Sequence, residues 1–211
     1  MEILYFDELA STQQYLIEAI KEGSLQAPIA VVAKKQPKGI GSRNNVWIAK
    51  EGDLTFSFAI TKEQLPDDLP VSSASIYFGF LIKEILQEYN KDIFLKWPND
   101  IYKNGKKMGG VVTYFRKNIF IVGIGINLVR RNDGFSFLEL EDAHKSILEP
   151  YFLLLKKAPS WQEIFNKFRV EFKKSSHFSV HTKKGLTTLH NAVLCEDGSL
   201  LINDERIYSL R

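Results

Sequence analysis

The chain has 211 residues, 45% apolar and 25% charged, a balance that excludes disordered, collagen-like and low-complexity classes. Its 28 basic and 25 acidic side chains leave a net charge of +3, too small to mark a nucleic-acid binder by itself. One cysteine, Cys195, excludes a disulfide framework and a cysteine-built metal site, and it suits a reducing compartment.

Ile3 to Phe6 is a short apolar run that predicts a strand, and Ser11 and Thr12 offer N-caps to a helix carrying Leu16, Ile17 and Ile20 on one face. Ile29 to Ala33 predicts a buried strand. Lys34 to Val46, basic and almost without apolar content, is expected to be a long loop. Leu54, Phe56, Phe58 and Ile60 alternate with small residues, the period of a half-buried strand. Val71 to Tyr89 predicts a central buried helix. Phe94 to Trp97 and Ile101 to Lys103 follow as strands, and Asn104-Gly105 marks a hairpin. Met108 to Phe115 and Ile119 to Leu128 make a second strand pair around Arg116-Lys117-Asn118. A helix is expected from Asp142 to Lys157, kinked by Pro150, and Ser160 caps another through Lys173. From Gly185 onward short strands and the turns Asp197-Gly198 and Asn203-Asp204 predict a small all-β unit docked on an α+β domain with a mixed, mainly antiparallel sheet. No run reaches the roughly 18 apolar residues of a membrane span. The acidic start lacks the basic region of a signal peptide, so the chain is expected to be cytoplasmic and complete.

Three polar clusters stand apart from this core pattern. Gln36 to Asn45 holds Gly39 and Gly41 between Lys38 and Arg43, so its backbone amides can cradle an anion, or it is a solvated loop. It is neither a Walker loop nor a dinucleotide fingerprint. Lys96-Trp97-Pro98-Asn99-Asp100 follows a strand and turns Asn99 and Asp100 out of a sheet end, toward a metal or a ribose hydroxyl, or it is an ordinary turn. Lys106-Lys107 precedes Gly109-Gly110, where a ligand can approach the backbone; Lys107 either neutralises anions or protects a sheet edge. Gly123-Ile124-Gly125-Ile126-Asn127 reads as a strand whose glycines make room for something lying over the sheet. His177 and His181 have no partner acid, and no serine or cysteine sits as a nucleophile, which leaves phosphate handling without covalent catalysis.

In this order, the segments resemble the biotin protein ligases. Lys96-Trp97-Pro98-Asn99-Asp100, with Lys107 seven residues past the acid, matches the family's most specific signature. Ser11-Thr12-Gln13, the Gln36 to Trp47 loop, Gly123-x-Gly-x-Asn127 and the tail ending Arg206-Ile207-Tyr208-Ser209-Leu210-Arg211 extend the likeness over nearly the whole chain. The resemblance implies a class II synthetase-like biotin–lipoate ligase fold over residues 1–174 and an SH3-like β-barrel over 175–211. It implies ATP-dependent attachment of biotin, through biotinyl-5′-AMP and with Mg²⁺, to a lysine of the biotin carboxyl carrier protein of acetyl-CoA carboxylase. Lys107 takes the catalytic position. Biotin contacts carry over to Ser11, Thr12, Gln13, Gln36, Gly39, Ile40, Gly41, Ser42, Lys107 and Gly110. Nucleotide contacts carry over to Arg43, Trp47, Lys96, Asn99, Asp100, Asn127 and Phe135, and the metal falls to Asp100.

One departure stands out: Ile40 occupies the place of the first arginine in the family's Gly-Arg-Gly loop, leaving Arg43 as the nearest cation. Lipoate or octanoate ligases, which share the adenylate chemistry, are the competing enzymatic reading. A binding-only regulatory module is the other. With only ten residues before Ser11, a DNA-binding helix-turn-helix is not expected. The family also pairs chains into homodimers.

Overall fold

The structure, a computed structural model, describes residues 1–42, 45–140, 142–182 and 185–209. β1 (Glu2–Glu8) and β2 (Ile29–Lys35) run parallel and are joined by α1 (Thr12–Glu22). The Ser11 hydroxyl accepts the Gln14 amide at 3.3 Å and so starts α1, while Gly23 at φ +78° ends it in the left-handed region. The long loop expected after β2 instead contains strand. β2 continues to Lys35, and β3 (Gly39–Ile40) pairs antiparallel with β4 (Val46–Trp47) as a short flap. The Lys38 amide, donating to the Ala10 carbonyl at 2.8 Å, fixes the flap's base to the residue before the α1 cap.

β5 (Leu54–Thr61) leads to α2 (Ala74–Leu86), which is buried at every position except Glu84 and Ile85. β6 (Phe94–Lys96), β7 (Asp100–Lys103), β8 (Lys106–Arg116) and β9 (Ile119–Ile126) follow as successive hairpins. Asn104 and Gly105 close one tight turn and Lys117 and Asn118 another. All four have positive φ, as a two-residue turn matched to strand twist requires. The sheet order is β1-β2-β5-β9-β8-β7-β6, antiparallel apart from β1–β2.

The helix expected from Asp142 begins as a π-helical turn, His144–Leu148, that runs into α3 (Glu149–Lys156). Pro150 has no N–H to give the carbonyl four residues earlier; that carbonyl, of Ser146, accepts the Tyr89 hydroxyl at 3.0 Å. α4 (Trp161–Glu171) starts where Ser160 Oγ accepts the Glu163 amide. At its other end Glu171 accepts the Leu95 amide at 2.7 Å on the outer edge of β6, and it pairs with the buried Lys83 at 3.1 Å. This buried ion pair ties α2 and α4 to the strand that carries Lys96.

The sheet is covered on both faces. Leu16 of α1 packs on Ile29, Val31, Ala59 and Ile121. On the other face Phe56, Phe58, Phe78, Phe120 and Tyr151 meet largely edge to face beneath α2 and α3. The tail is all β, as expected: β10 (Ser179–Thr182) with β11 (Gly185–Thr188), and β12 (Val193–Leu194), β13 (Leu200–Ile202) and β14 (Glu205–Ile207). The same buried cluster contains Phe168 and Val180, so the apolar core spans the expected boundary at residue 175.

One turn locks the tail in place. The Trp97 indole N–H donates to the Gly198 carbonyl at 2.8 Å and that of Trp161 to the Glu196 carbonyl at 2.9 Å, while the Ser73 hydroxyl donates to the Asp197 carbonyl. Gly198 has φ +74°, and a Cβ there would lie 2.9 Å from Ile76, 3.0 Å from Ser73 and 3.1 Å from Trp161. Gly198→Ala combines left-handed backbone strain with overpacking, so the expected loss is about 2–4 kcal/mol, read as a lower urea midpoint. An unchanged midpoint would show that the turn is not the lock.

Candidate active site

Strand alternation builds the floor of a cleft. Ala59 and Ile121 lie under α1, so residues two positions along on the same strands share that face. There the chain places Ser57 opposite Gly123, and Gly125 beside Gly110 of β8. Large side chains give way to glycine and serine just past the start of α1, leaving a hollow between the sheet and the flap. What lies over the glycines is now visible. A Cβ on Gly125 would sit 2.4 Å from the Trp47 indole, and one on Gly123 would sit 2.7 Å from Gln13 Oε1.

One wall is a hydrogen-bond relay. Gln36 Oε1 accepts both the Thr12 amide at 2.8 Å and the Thr12 hydroxyl at 2.9 Å, and Thr12 Oγ1 lies 2.8 Å from Ser57 Oγ. Because the Thr12 proton goes to Gln36, Ser57 donates to Thr12 and keeps its own lone pairs for another donor. Gln13 Nε2 donates to the Ile121 carbonyl at 3.0 Å, which leaves Gln13 Oε1 buried without a donor; Trp47 Nε1 is buried without an acceptor. These two groups face the hollow with unmet hydrogen-bonding capacity, which a ligand would satisfy.

The opposite wall is charged. The turn Trp97-Pro98-Asn99, with its Trp97–Pro98 peptide cis, joins β6 to β7. The Asn99 side chain donates to the Val111 carbonyl at 2.7 Å and the Asn99 backbone carbonyl accepts the Val111 amide, so β8 fixes the turn. Asp100 Oδ1 then lies 2.5 Å from Lys107 Nζ, and Oδ2 lies 3.7 Å from Lys96 Nζ. Lys107 Nζ is also 6.0 Å from the Trp47 ring centre. Burial, with the nearby Asp100 charge, pushes the Tyr102 phenol up to about 12.

The cleft brings together Ser11, Thr12, Gln13, Gln36, Ile40, Gly41, Ser42, Trp47, Asn99, Asp100, Lys107 and Gly110 from among the expected residues. Gly39 lies just behind it, where a Cβ would meet the Trp47 carbonyl at 2.4 Å. Three expected nucleotide residues lie outside its lining. Asn127 donates to the Ser136 carbonyl and so spends its amide on a loop; Phe135 stands on that loop, half exposed; Lys96 is buried behind Asp100. Arg43 is outside the described residues. Sequence reasoning missed Ser57, although a serine in an apolar strand was a signal. It also missed Asp53, whose buried carboxylate accepts the amides of Lys50, Leu128 and Val129 and pairs with buried Arg131. That pair ties the segment after β4 to the segment after β9.

A resident metal is not supported by the side chains. Among the described residues no three of His, Cys, Asp and Glu gather to hold an ion. Asp100 is a single carboxylate already held by two ammonium groups, whereas a protein-built magnesium site needs further oxygen ligands. The residues present do not fit a metal of their own.

The sequence model of the biotin/lipoate A/B protein ligase family matches residues 5–129, more than half of the chain. The chain belongs to the biotin/lipoate A/B protein ligase family. Among curated members of this family of ligases, biotin–protein ligase 2 of Arabidopsis thaliana is 31% identical, over 83% of this chain and 54% of its own length. The bifunctional ligase/repressor BirA of Bacillus spizizenii is 30% identical, over 69% of this chain and 46% of its own. The chain therefore spans about half the length of these relatives. The crystal structure of biotin acetyl coenzyme A carboxylase synthetase from Helicobacter pylori with bound biotinylated ATP is 39% identical, with a TM-score of 0.92, and the match covers 98% of this chain and 99% of that one. Biotin protein ligase from Aquifex aeolicus in complex with biotin and ATP is 28% identical, with a TM-score of 0.77 over 100% and 96%. The ligase-family match spans β1 to β9 and with them both walls of the cleft.

Gly125→Ala tests the floor. The added methyl must displace Trp47, so the ¹⁹F resonance of 5-fluorotryptophan at Trp47 is expected to shift while those at Trp97 and Trp161 stay in place. Three unmoved resonances would contradict the packing.

Proposed function

We propose that this chain is a biotin–protein ligase. The carboxylate of biotin attacks the α-phosphorus of ATP, pyrophosphate leaves, and biotinyl-5′-AMP forms. The ε-amine of a lysine on a biotin carboxyl carrier domain, that of acetyl-CoA carboxylase, then attacks the carbonyl of the mixed anhydride, and AMP leaves. The observation that carries this reading is that Lys107 shares one cleft with the Thr12–Gln36–Ser57 relay. Two anions that must touch repel each other, and a cation between them lowers the barrier as charge develops. The relay offers a neutral, directional set of donors and acceptors suited to the ureido ring of biotin, with the Gly39, Ile40, Gly41 and Ser42 flap above it. Asn99, Asp100 and Trp47 line the side where the nucleotide enters. Asn127, hydrogen-bonded to Ser136, and Phe135 on that loop back it. Magnesium, if it arrives with the nucleotide, would neutralise phosphate charge there.

Relatives solved with biotin and ATP, or with biotinylated ATP, support the choice of ligands. Among the described residues no helix is long and apolar enough to cross a membrane. Action in the cytoplasm, and pairing of two chains through a sheet edge, are parts of the same proposal. The test is incubation with ATP, Mg²⁺, biotin and a carrier domain, followed by intact-mass measurement of the carrier. A biotinyl mass gain on one lysine is expected. A gain with lipoate or octanoate in place of biotin, and none with biotin, would move the assignment to the lipoyl-type ligases.

Ile40 refines the reading. It lines the cleft and is partly exposed, and an arginine there would pair with the phosphate of the adenylate. Ile40→Arg is expected to slow dissociation of biotinyl-AMP by about tenfold, measured by stopped-flow chase. An unchanged rate would remove this residue from control of the intermediate.

A further inference from the structure

Asp100 stands between two lysines in different surroundings. Lys107, on the cleft side, has a side chain 29% exposed and lies at 2.5 Å; Lys96, on the far side, is 11% exposed and lies at 3.7 Å. The Lys96 ammonium also lies over two aromatic rings, 6.0 Å from the centre of Tyr102 and 5.8 Å from that of Phe178. Phe178, just before β10 in the C-terminal part of the chain, packs edge-on against Tyr102 at 4.7 Å and lies tilted to Phe94 at 6.0 Å. One oxygen of Asp100 thus faces a largely buried cation bordered by two aromatic rings, the other a cation that opens to the cleft.

This asymmetry matters for any use of Lys107. An ammonium held 2.5 Å from a carboxylate must turn away from it to meet another anion, and a largely buried carboxylate left without a partner is strongly disfavoured. We propose that Lys96 and Phe178 are positioning residues. Lys96, held in place by Phe178, keeps Asp100 paired while Lys107 turns from Asp100 to the reactants. The inference rests on the reading that Lys107 meets the reacting anions, and it gives the C-terminal segment a direct line to the reaction centre.

A double-mutant cycle tests it. Lys96→Met keeps the length and apolar packing of the side chain and removes its charge. Asp100 then holds Lys107 alone, so the rate of adenylate formation is expected to fall about tenfold, with the KM values for ATP and biotin changed less than about twofold. In an Asp100→Asn background Lys107 is already released, and adding Lys96→Met is expected to change the rate by less than about twofold. A rise in the ATP KM of equal size in both backgrounds would mean that Lys96 binds nucleotide directly, and it would overturn the proposal. Phe178→Leu is expected to act in the same direction and to lose its effect beside Asp100→Asn; if it leaves the rate unchanged, Phe178 has no part.

A second readout needs no activity. Acetylation of Lys107 by acetic anhydride in the ligand-free chain, followed peptide by peptide, reports how tightly Asp100 holds it. Labelling is expected to slow in Lys96→Met, to speed up in Asp100→Asn, and to stay fast in the double variant. Equal labelling of Lys107 in the unsubstituted chain and in Lys96→Met would overturn the inference, whichever acid the enzyme activates.

Discussion

A strand puts every second side chain on the same face, and here that constraint makes the cleft. On the α1 side of the sheet, β9 runs Ile121, Gly123, Gly125 and β5 runs Ala59, Ser57, while Gly110 lies beside Gly125. The apolar pair meets Leu16, and the small residues beyond it leave a hollow that no other element fills completely. The opposite face of the same strands carries Phe56, Phe58 and Phe120, so the floor is rigid because its underside is packed with aromatic rings. One alternation therefore yields a stable core below and a hollow lined by small and polar residues above.

The walls depend on contacts far apart in sequence. The relay through Thr12, Gln36 and Ser57 draws on α1, β2's exit and β5, so the shape of that wall follows from the parallel β1–β2 pairing. The charged wall depends on the C-terminal part of the chain: the Trp97 indole is fixed by Gly198, and Leu95 by Glu171. The tail is in this sense part of the site's scaffold, sharing the core and holding the turn that carries Asn99 and Asp100.

Much of this was legible in the sequence because the signals are local. Asn104-Gly105 demanded a tight hairpin, Ser11 and Ser160 capped the helices assigned to them, and the alternation around Phe56 and Phe58 set the register of the central strand. The charged wall's motif was also local, since Lys96 and Asp100 flank the β6–β7 turn and Lys107 to Gly110 lie on the neighbouring β8. What stayed hidden depends on long-range partners. Asp53 and Arg131 are 78 positions apart, and nothing local marks a buried ion pair. The π-helical turn before Pro150 and the flap pairing of Gly39 with Trp47 likewise need the folded neighbours that stabilise them. The hydrogen bond from Asn127 to the Ser136 carbonyl was equally hidden, because it needs the loop that returns nine residues later.

Both walls converge on a single ammonium group. Lys107 is held beside Asp100 at the open side of a hollow whose other partners are neutral, so it is the cation that reacting anions meet among the described lining residues. The direct test is biotin-dependent exchange of labelled pyrophosphate into ATP by Lys107→Ala, alongside its urea midpoint. The account predicts that exchange falls at least about a hundredfold while the midpoint is unchanged, because the side chain serves the reaction and not the core. Exchange within about twofold of the unsubstituted protein would contradict it.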